Sequence, residues 1–152
     1  MMLIRLSKVI WLALSAVIGI ALAQVGVWAF DRDPPYKLLS VDPAISRRGE
    51  YVDLTAHVWR DVHRGCAAEF VRFLYTSAGY RVDMEGAQFV SARNLEQMER
   101  RDPGMLRLKL FVPAMMVAGR TKLVTEIHYI CNPLHHLWPI EVTTTMPFDV
   151  LP

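Results

Sequence analysis

The 22 residues from Val9 to Phe30 include no charged side chain, and this run constrains the fold more than any other feature of the chain. As an α-helix the run would be about 33 Å long, which is enough to cross a hydrocarbon core of about 30 Å. Trp11 and Trp28 lie near its two ends, where indole rings favour the membrane interface. The sequence therefore predicts a transmembrane helix that contacts the lipid bilayer from Val9 to Phe30.

Two other interpretations of this run have to be weighed. A helix buried in a soluble core is seldom so long and so purely apolar. A cleaved signal peptide is the stronger rival, because Arg5 and Lys8 form a basic region ahead of the run and Ala21–Ala23 has the small-x-small pattern of a cleavage site. The apolar run continues for seven residues beyond Ala23, however, which favours an uncleaved signal anchor.

The charges before the run predict its orientation. Arg5 and Lys8 are the only ionisable side chains ahead of it, and basic residues stay on the cytoplasmic side. We therefore expect residues 1–8 to be a cytoplasmic stub, residues 9–30 to be the anchor, and the remainder to be exported. In a bacterium this is a single-pass protein of the inner membrane with its C-terminal domain in the periplasm.

The charge balance of the exported part bears on its partners. Two of the 17 Lys and Arg precede the run, and the 15 that remain equal the 15 Asp and Glu, all of which follow it. A neutral domain lacks the positive field that binding to nucleic-acid phosphates requires, so no nucleic-acid partner is expected. The pairs Arg47-Arg48 and Arg100-Arg101 are interpreted as solvated turns.

A proline pair separates the anchor from the domain. Proline fixes φ, lacks an N–H donor and disfavours helix at the preceding residue, so the helix should end before Pro34 and Pro35. Residues 31–35 are predicted to be a Pro-rich spacer. The roughly 120 residues that follow are enough for one domain with its own core, predicted at 36–152.

Within the domain, apolar and polar residues alternate with the period of a β-strand. From Val52 to Val58 and from Leu106 to Val112, every second residue is apolar, as in a strand with one buried face. Ile140 to Val150 repeats the pattern, and Pro147 requires a sheet edge or a bulge there. The other predicted strands are Tyr36–Val41, Phe70–Tyr75, Tyr80–Met84, Ala87–Ser91 and Leu123–Cys131.

These strands predict the fold class. Only the segment from Asn94 to Arg101 is expected to be helical in the domain, with Asn94 as its N-cap. Seven to eight short strands separated by turns are typical of a sandwich. We predict an all-β, immunoglobulin-like β-sandwich preceded by one N-terminal transmembrane helix.

The two cysteines test this topology. Cys66 precedes the third strand and Cys131 ends the penultimate one, and in an immunoglobulin-like order these connections lie at the same end of the sandwich. Because an exported compartment is oxidising, a Cys66–Cys131 disulfide is predicted, and closing a loop of about 65 residues would contribute roughly 4 kcal/mol. Two separate buried thiols are the alternative.

The chain resembles known proteins at two levels. The triplet Tyr129-Ile130-Cys131 has the tyrosine-x-cysteine pattern of immunoglobulin domains, but no tryptophan follows Cys66 at the expected distance. Over almost its whole length, through the anchor, the segment 31–35, the stretch 129–134 and the stretch 138–140, the layout is similar to that of small uncharacterised membrane-anchored proteins of tailed phages and prophages. This resemblance implies a bacterial or phage origin and an inner-membrane tether.

A metal site is the main alternative for the function. His63, Cys66, Cys131 and His135 could give tetrahedral zinc two imidazole and two thiolate ligands, with His136 as a spare. Copper could also use the thioethers of Met115, Met116 and Met146. Because a disulfide removes both thiolates and the spacings are common ones, no cofactor is predicted. A membrane-anchored copper or zinc delivery protein remains the second hypothesis.

Two apolar loop segments are candidate contacts for a protein partner. Met115, Met116 and Val117 lie between two predicted strands, where apolar side chains cover the core or contact another molecule. Leu137 and Trp138 precede the last strand, and tryptophan is a frequent anchor of interfaces. For Trp138, a role in closing the open end of the sandwich is favoured over contact with a partner.

No residue pattern indicates catalysis. The serines lack a nucleophile elbow, the histidines are scattered, and no glycine-rich phosphate loop is present. We therefore expect a non-enzymatic, membrane-tethered, extracytoplasmic module for binding or assembly, with a membrane or periplasmic protein as its partner.

Overall fold

The structure is a computed structural model that describes residues 2–84 and 86–152. Within the first nine residues, only the Lys8 side chain is described, so the predicted stub 1–8 lies largely outside the described side chains. The helix α1 spans Met2–Phe30. It ends before the proline pair, as predicted, because Pro34 and Pro35 cannot continue it.

The C-terminal part of α1 has the length and composition of a membrane span. Among the described residues, one helical segment, the 21 residues Ile10–Phe30, is long and apolar enough to cross a membrane. All of its residues are exposed or half-buried, whereas a helix in a soluble core would be mostly buried. Trp11 is exposed and Trp28 is half-buried.

The rest of the chain is mostly β-structure. Within the described residues there are nine strands rather than seven or eight, one further α-helix, α2, and two short 3-10 turns. The strands are β1 (Tyr36–Val41), β2 (Ile45–Arg47), β3 (Tyr51–Arg60), β4 (Ala67–Tyr75), β5 (Arg81–Asp83), β6 (Gln88–Val90), β7 (Met105–Phe111), β8 (Gly119–Ile130) and β9 (Ile140–Leu151). The helix α2 is Ala92–Arg101, and the 3-10 turns are Val62–Arg64 and Pro133–His136.

The strands form two sheets. One sheet has the order β1-β3-β7, and the other has the order β2-β9-β8-β4-β5, with β6 also paired to β4. Neighbouring strands are antiparallel except for β2, which runs parallel to β9. Both sheets contribute to one hydrophobic cluster, whose buried members are Val52, Leu54, Ala56, Val58, Leu74, Leu110, Val112, Met116, Leu123, Met146, Phe148 and Val150.

The two-residue period correctly identified the buried face of two long strands, β3 and β9. In β3 the four alternating apolar residues from Val52 to Val58 are at most 2% exposed. In β9 the alternating residues Met146, Phe148 and Val150 are each 2% exposed. Pro147 lies opposite Lys122 of β8, and β2 pairs only with residues 149–151, so β9 is a sheet edge on that side of the proline.

The structure corrects two expectations. The strand β2 was not predicted, because three residues with one buried side chain, Ser46, carry no apolar alternation. The N-cap of α2 is Ser91 rather than Asn94, since the Ser91 hydroxyl accepts a hydrogen bond from the Asn94 backbone N–H at 3.3 Å. The helix therefore begins at Ala92, and its N-cap lies three residues earlier than expected.

Candidate functional site

The predicted disulfide is present between Cys66 and Cys131. The register of β4 and β8 pairs Ala67 with Ile130, so the next antiparallel position brings the two cysteines opposite each other. Their Cα atoms are 4.0 Å apart. The bridge therefore joins neighbouring strands of one sheet, whereas the bridge of antibody domains joins two sheets.

The end of α1 contacts the end of the domain that holds this disulfide. We call this the proximal end and define it as residues 61–66 and 131–139. The Asn132 side-chain amide donates a hydrogen bond to the Trp28 carbonyl oxygen at 3.4 Å. The Arg32 guanidinium donates to the Trp138 carbonyl oxygen at 2.8 Å and lies 3.8 Å from the centre of the Trp138 ring. The end of α1 and the domain therefore share a contact surface.

Arg64 adds two further contacts between the spacer and the proximal end. Its guanidinium forms an ion pair with the Asp31 carboxylate and donates a hydrogen bond to the Asp33 carbonyl oxygen. The Arg64 side chain is 19% exposed, so this ion pair is partly shielded from solvent. Contacts from Arg32 and Arg64 thus hold the spacer on the domain from two sides.

His135 is the buried polar residue at the centre of the proximal end. It is 1% exposed, and its Nδ1 accepts a hydrogen bond from the Cys131 backbone N–H at 3.2 Å. Burial lowers the pKa of His135, and the Asp31 carboxylate together with a hydrogen bond to the Asp31 backbone opposes that shift in part. The neutral imidazole therefore links the end of β8 to the exit of α1.

The opposite end of the domain lies far from α1. Strand β8 has 12 residues and runs from Gly119 to Ile130, which corresponds to a length of about 40 Å. The loop of residues 112–118 therefore lies about 40 Å from the proximal end, and we call this loop the distal loop. It contains Met115, which is 85% exposed, and Val117, which is 45% exposed.

Met116 differs from the expectation for this loop. It is 2% exposed and belongs to the core cluster, so it is a core residue and not a contact residue. Its backbone N–H donates to the Pro113 carbonyl oxygen at 3.0 Å, and this turn directs the Met116 side chain back under the loop. The candidate contact of the distal loop is therefore limited to Met115 and Val117.

Neighbouring turns hold the distal loop in place. The Ser77 hydroxyl donates to the Ala118 carbonyl oxygen at 3.1 Å, and the Gly49 N–H donates to the Val112 carbonyl oxygen at 2.9 Å. Gly119 has φ of 126°, and a Cβ atom there would lie 2.9 Å from the Ser77 side chain. The close approach between the start of β8 and the turn that contains Ser77 thus requires glycine at position 119.

Leu137 and Trp138 are exposed at the proximal end. Leu137 is 86% exposed and Trp138 is 57% exposed. Trp138 therefore does not close the end of the domain, which was the role favoured for it. His135 occupies the buried position there instead. The sequence signal that could have identified His135 is Asn132 followed by proline, because the Asn132 side chain caps the 3-10 turn that carries His135.

The structure places the imidazole and thiol candidates at the proximal end, as predicted, but not as a set of metal ligands. Both cysteines are oxidised, and His63 and His136 are exposed side chains. Across residues 2–84 and 86–152, no three His, Cys, Asp or Glu side chains form a group that could hold a metal ion. The zinc hypothesis thus has no preformed set of imidazole, thiolate or carboxylate ligands among the described residues. Of the methionines named for copper, Met116 and Met146 are buried in the core, whereas Met115 is exposed.

Two tyrosines near the proximal end, the half-buried Tyr36 and the buried Tyr129, have shifted pKa values. Burial raises the pKa of Tyr36 to about 12, opposed by the nearby Arg60 and Arg72. Burial also raises the pKa of Tyr129, which is 3% exposed. Both phenols therefore remain protonated near neutral pH, which suits packing and hydrogen bonding better than proton abstraction.

A cavity beside the free edge of β7 was not expected from the sequence. Its volume is about 230 Å³, and its lining includes the aromatic side chains of Tyr51, Phe70 and Phe111 and the cationic side chain of Lys109. The wall of the cavity is formed by strands that are distant in the chain, so no local sequence pattern predicts the cavity. Lys109 lies 5.3 Å from the Tyr51 ring, which keeps this edge charged and solvated.

Comparisons with known proteins do not identify a family. No protein-family model matches the sequence, and no curated protein matches it. Among solved structures, the chain is similar to the alkylpurine DNA glycosylase AlkC of Pseudomonas fluorescens bound to DNA containing an abasic site analog, with 14% sequence identity and a TM-score of 0.38. The match covers 79% of this chain and 31% of the glycosylase. A likeness at this level carries no argument about function.

Proposed function

We propose that this chain is a non-enzymatic, membrane-tethered binding or assembly module on the periplasmic side of a bacterial inner membrane. One observation carries the proposal. The contacts between the end of α1 and the proximal end of the domain direct the distal loop, with its exposed Met115, about 40 Å away from the anchor. A tethered domain with its free end held away from the membrane is suited to reach a protein partner.

The strand order supports an immunoglobulin-like sandwich. In immunoglobulin constant domains strands A, B, E and D form one sheet and strands C, F and G the other. Here β1, β3 and β7 correspond to A, B and E, while β4, β8 and β9 correspond to C, F and G. No described strand takes the place of D, and β5 lies beside β4 as C′ lies beside C in variable domains.

Three features support export, and the apolar run that continues past Ala23 favours an uncleaved anchor. The helical segment Ile10–Phe30 has the length and composition to cross a bilayer. The only ionisable residues ahead of it are basic, which favours a cytoplasmic N-terminus. The Cys66–Cys131 bridge belongs to an oxidising compartment such as the periplasm. The phage-like layout of the chain adds a phage or prophage origin to the proposal.

The distal loop supports binding rather than catalysis. A methionine that is 85% exposed on a loop held by neighbouring turns offers an adaptable apolar contact on a rigid support. The tether confines the domain to the membrane surface, which raises its effective concentration near any other membrane protein. The equal numbers of basic and acidic residues after the anchor favour a protein partner over nucleic acid.

A fusion experiment tests the location. Alkaline phosphatase, which is active only after export, is fused after Pro152 and compared with a fluorescent protein that matures only in the cytoplasm. We expect phosphatase activity in the membrane fraction, and fusion protein of the mass of the uncleaved chain. A fluorescent, phosphatase-negative cell would contradict the periplasmic location, and loss of the first 23 residues would contradict the anchor.

A crosslinking experiment tests the binding role. A photoreactive amino acid replaces Met115 in cells, and the matched control replaces Leu39, which is 66% exposed on the β1-β3-β7 sheet. We expect a discrete adduct of higher mass from position 115 and none of that mass from position 39. Adducts that are equally abundant from both positions would show random collision and would argue against a dedicated distal contact.

A further inference from the structure

We propose that the loop between β8 and β9 is a second membrane contact, in which Leu137 and Trp138 insert into the headgroup region of the leaflet from which α1 emerges. This inference rests on the proposed function in one respect, since α1 must span the bilayer. The occupant of the surface is lipid, and the loop would fix how the domain is seated on the membrane.

Contacts with α1 set the depth of the loop. The Asn132 side chain donates to the Trp28 carbonyl oxygen at 3.4 Å, and Trp28 is two residues before the end of the apolar span at Phe30. Arg32, two residues beyond that end, donates to the Trp138 carbonyl oxygen at 2.8 Å. Both ends of the loop are thus tied to the boundary where the hydrocarbon core gives way to headgroups.

The side chains of the loop have the chemistry of this boundary. Leu137 is 86% exposed and Trp138 is 57% exposed, so two adjacent apolar side chains are left largely uncovered. Indole rings concentrate at membrane interfaces because they combine an apolar body with an N–H donor. The Arg32 guanidinium, 3.8 Å from the centre of the Trp138 ring, adds a positive charge at the level of the lipid phosphates.

The position of the loop favours lipid over a protein partner. A protein that covered Leu137 would have to enter the space between the proximal end and the bilayer, because the same loop contacts Trp28 and Arg32. Met115 is 85% exposed, almost the same as Leu137, but lies about 40 Å away at the other end of the domain. It therefore provides a matched control for exposure without proximity to lipid.

Spin labelling of the full-length chain tests the proposal. Leu137→Cys and Met115→Cys are labelled separately in vesicles of phosphatidylethanolamine and phosphatidylglycerol, with the Cys66–Cys131 bridge intact. Oxygen concentrates in the bilayer and a nickel chelate stays in water, so their relative access to the label reports its depth. We expect the oxygen-to-nickel ratio to be several-fold higher for the Leu137→Cys label than for the Met115→Cys label.

Two results would overturn the proposal. Equal ratios for the two labels would mean that Leu137 lies in water, and dipolar broadening at Leu137→Cys would mean that a second copy of the chain covers it. A third label at Leu14→Cys in α1 separates this from failure of the anchor. If Leu14→Cys is deep and Leu137→Cys is aqueous, only the loop contact is wrong, whereas an aqueous Leu14→Cys label contradicts the membrane anchor itself.

A second measurement avoids new cysteines. Lipids brominated near the headgroup quench tryptophan emission on contact, so the difference between the wild type and Trp138→Phe isolates the contribution of Trp138. We expect that brominated lipid removes most of this contribution. Emission from Trp138 that is unaffected by brominated lipid would overturn the proposal even if the labelled variants misfold.

Discussion

Among single residues, Arg60 forms the most deeply buried ion pair of the described part of the chain. Its side chain is 5% exposed, and its guanidinium lies 2.6 Å from the Glu99 carboxylate and 2.9 Å from the Met105 carbonyl oxygen. The other Glu99 oxygen accepts a hydrogen bond from the Gly104 N–H at 2.9 Å. One carboxylate therefore connects the last residue of β3, the helix α2 and the turn before β7.

Removing this carboxylate should strongly destabilise the domain. Glu99→Ala leaves the Arg60 cation buried without its partner, and we expect a loss of about 3 kcal/mol in the free energy of unfolding. Glu96→Ala is the matched control on the same helix, because its pair with Arg100 is exposed and contributes less than about 0.5 kcal/mol. Urea unfolding in detergent measures both, and equal losses would contradict the structural role of the Arg60–Glu99 pair.

The buried His135 should make stability depend on pH. Because burial lowers the pKa of His135 in the folded domain, the unfolded chain binds the proton more readily. The contribution of neutral His135 to the free energy of unfolding is therefore complete above the ordinary histidine pKa of about 6.5. It is lost as the pH falls through the lower pKa that His135 has in the folded domain. We expect the urea midpoint to decrease between neutral and mildly acidic pH.

The matched variants are His135→Gln and His136→Gln. Glutamine at position 135 cannot titrate and should reduce this pH dependence, whereas His136 is exposed on the same 3-10 turn and its replacement should retain it. A pH dependence that is the same in His135→Gln as in the wild type would assign the effect to other groups.

At the level of elements, the disulfide joins β4 to β8 at the proximal end. Cys66→Ser with Cys131→Ser should lower the free energy of unfolding by about 4 kcal/mol, since the bridge closes a loop with a sequence separation of 65 residues. Urea unfolding with and without a thiol reductant provides the measurement. The reductant should lower the free energy of unfolding of the wild type and leave that of the double variant unchanged. A wild type whose free energy of unfolding stays the same after the bridge is reduced would contradict the prediction.

The elements also show what the sequence could predict. The long strands carry an apolar alternation that depends only on their own residues, so β3 and β9 were predicted correctly with the right face buried. The strand β2 was not predicted, because it is only three residues long and shows no apolar alternation. It is extended because it pairs with the end of β9. The N-cap at Ser91 was not predicted, because it is identified by the position of the Ser91 hydroxyl relative to the Asn94 N–H, which the sequence does not show.

The candidate site was predictable only where it depends on strand order. The Cys66–Cys131 bridge follows from the order of connections at one end of the domain. The burial of Met116 depends on a turn that folds the distal loop back on the core. The contact between Arg32 and Trp138 joins residues 106 positions apart, which no local pattern encodes.

In the whole molecule, Arg32 and Arg64 hold the domain against the end of α1 through their contacts with Trp138, Asp31 and Asp33. Arg32→Ala with Arg64→Ala should leave the domain folded but widen its range of orientations on the membrane, because the interactions with Trp138, Asp31 and Asp33 are lost. Time-resolved energy transfer from a donor at Met115→Cys to acceptors on lipid headgroups measures this. We expect a broader distribution of distances than in the wild type.

The control for this experiment removes the same charge elsewhere. Arg81→Ala with Arg100→Ala deletes two exposed ion pairs, with Asp83 and Glu96, away from the spacer. Its distance distribution should match that of the wild type. If the two double variants gave the same distribution, the arginines at the proximal end would not orient the domain.

Because contacts fix the domain to the end of α1, a change in the tilt of α1 moves the distal loop. Helices accommodate bilayers of different thickness by changing their tilt, usually at small cost in free energy. With an arm of about 40 Å, a change in tilt of about 10° displaces Met115 by about 7 Å. With α1 as the proposed anchor, a thicker or thinner membrane would thereby change the height and position at which the distal loop meets a neighbouring protein.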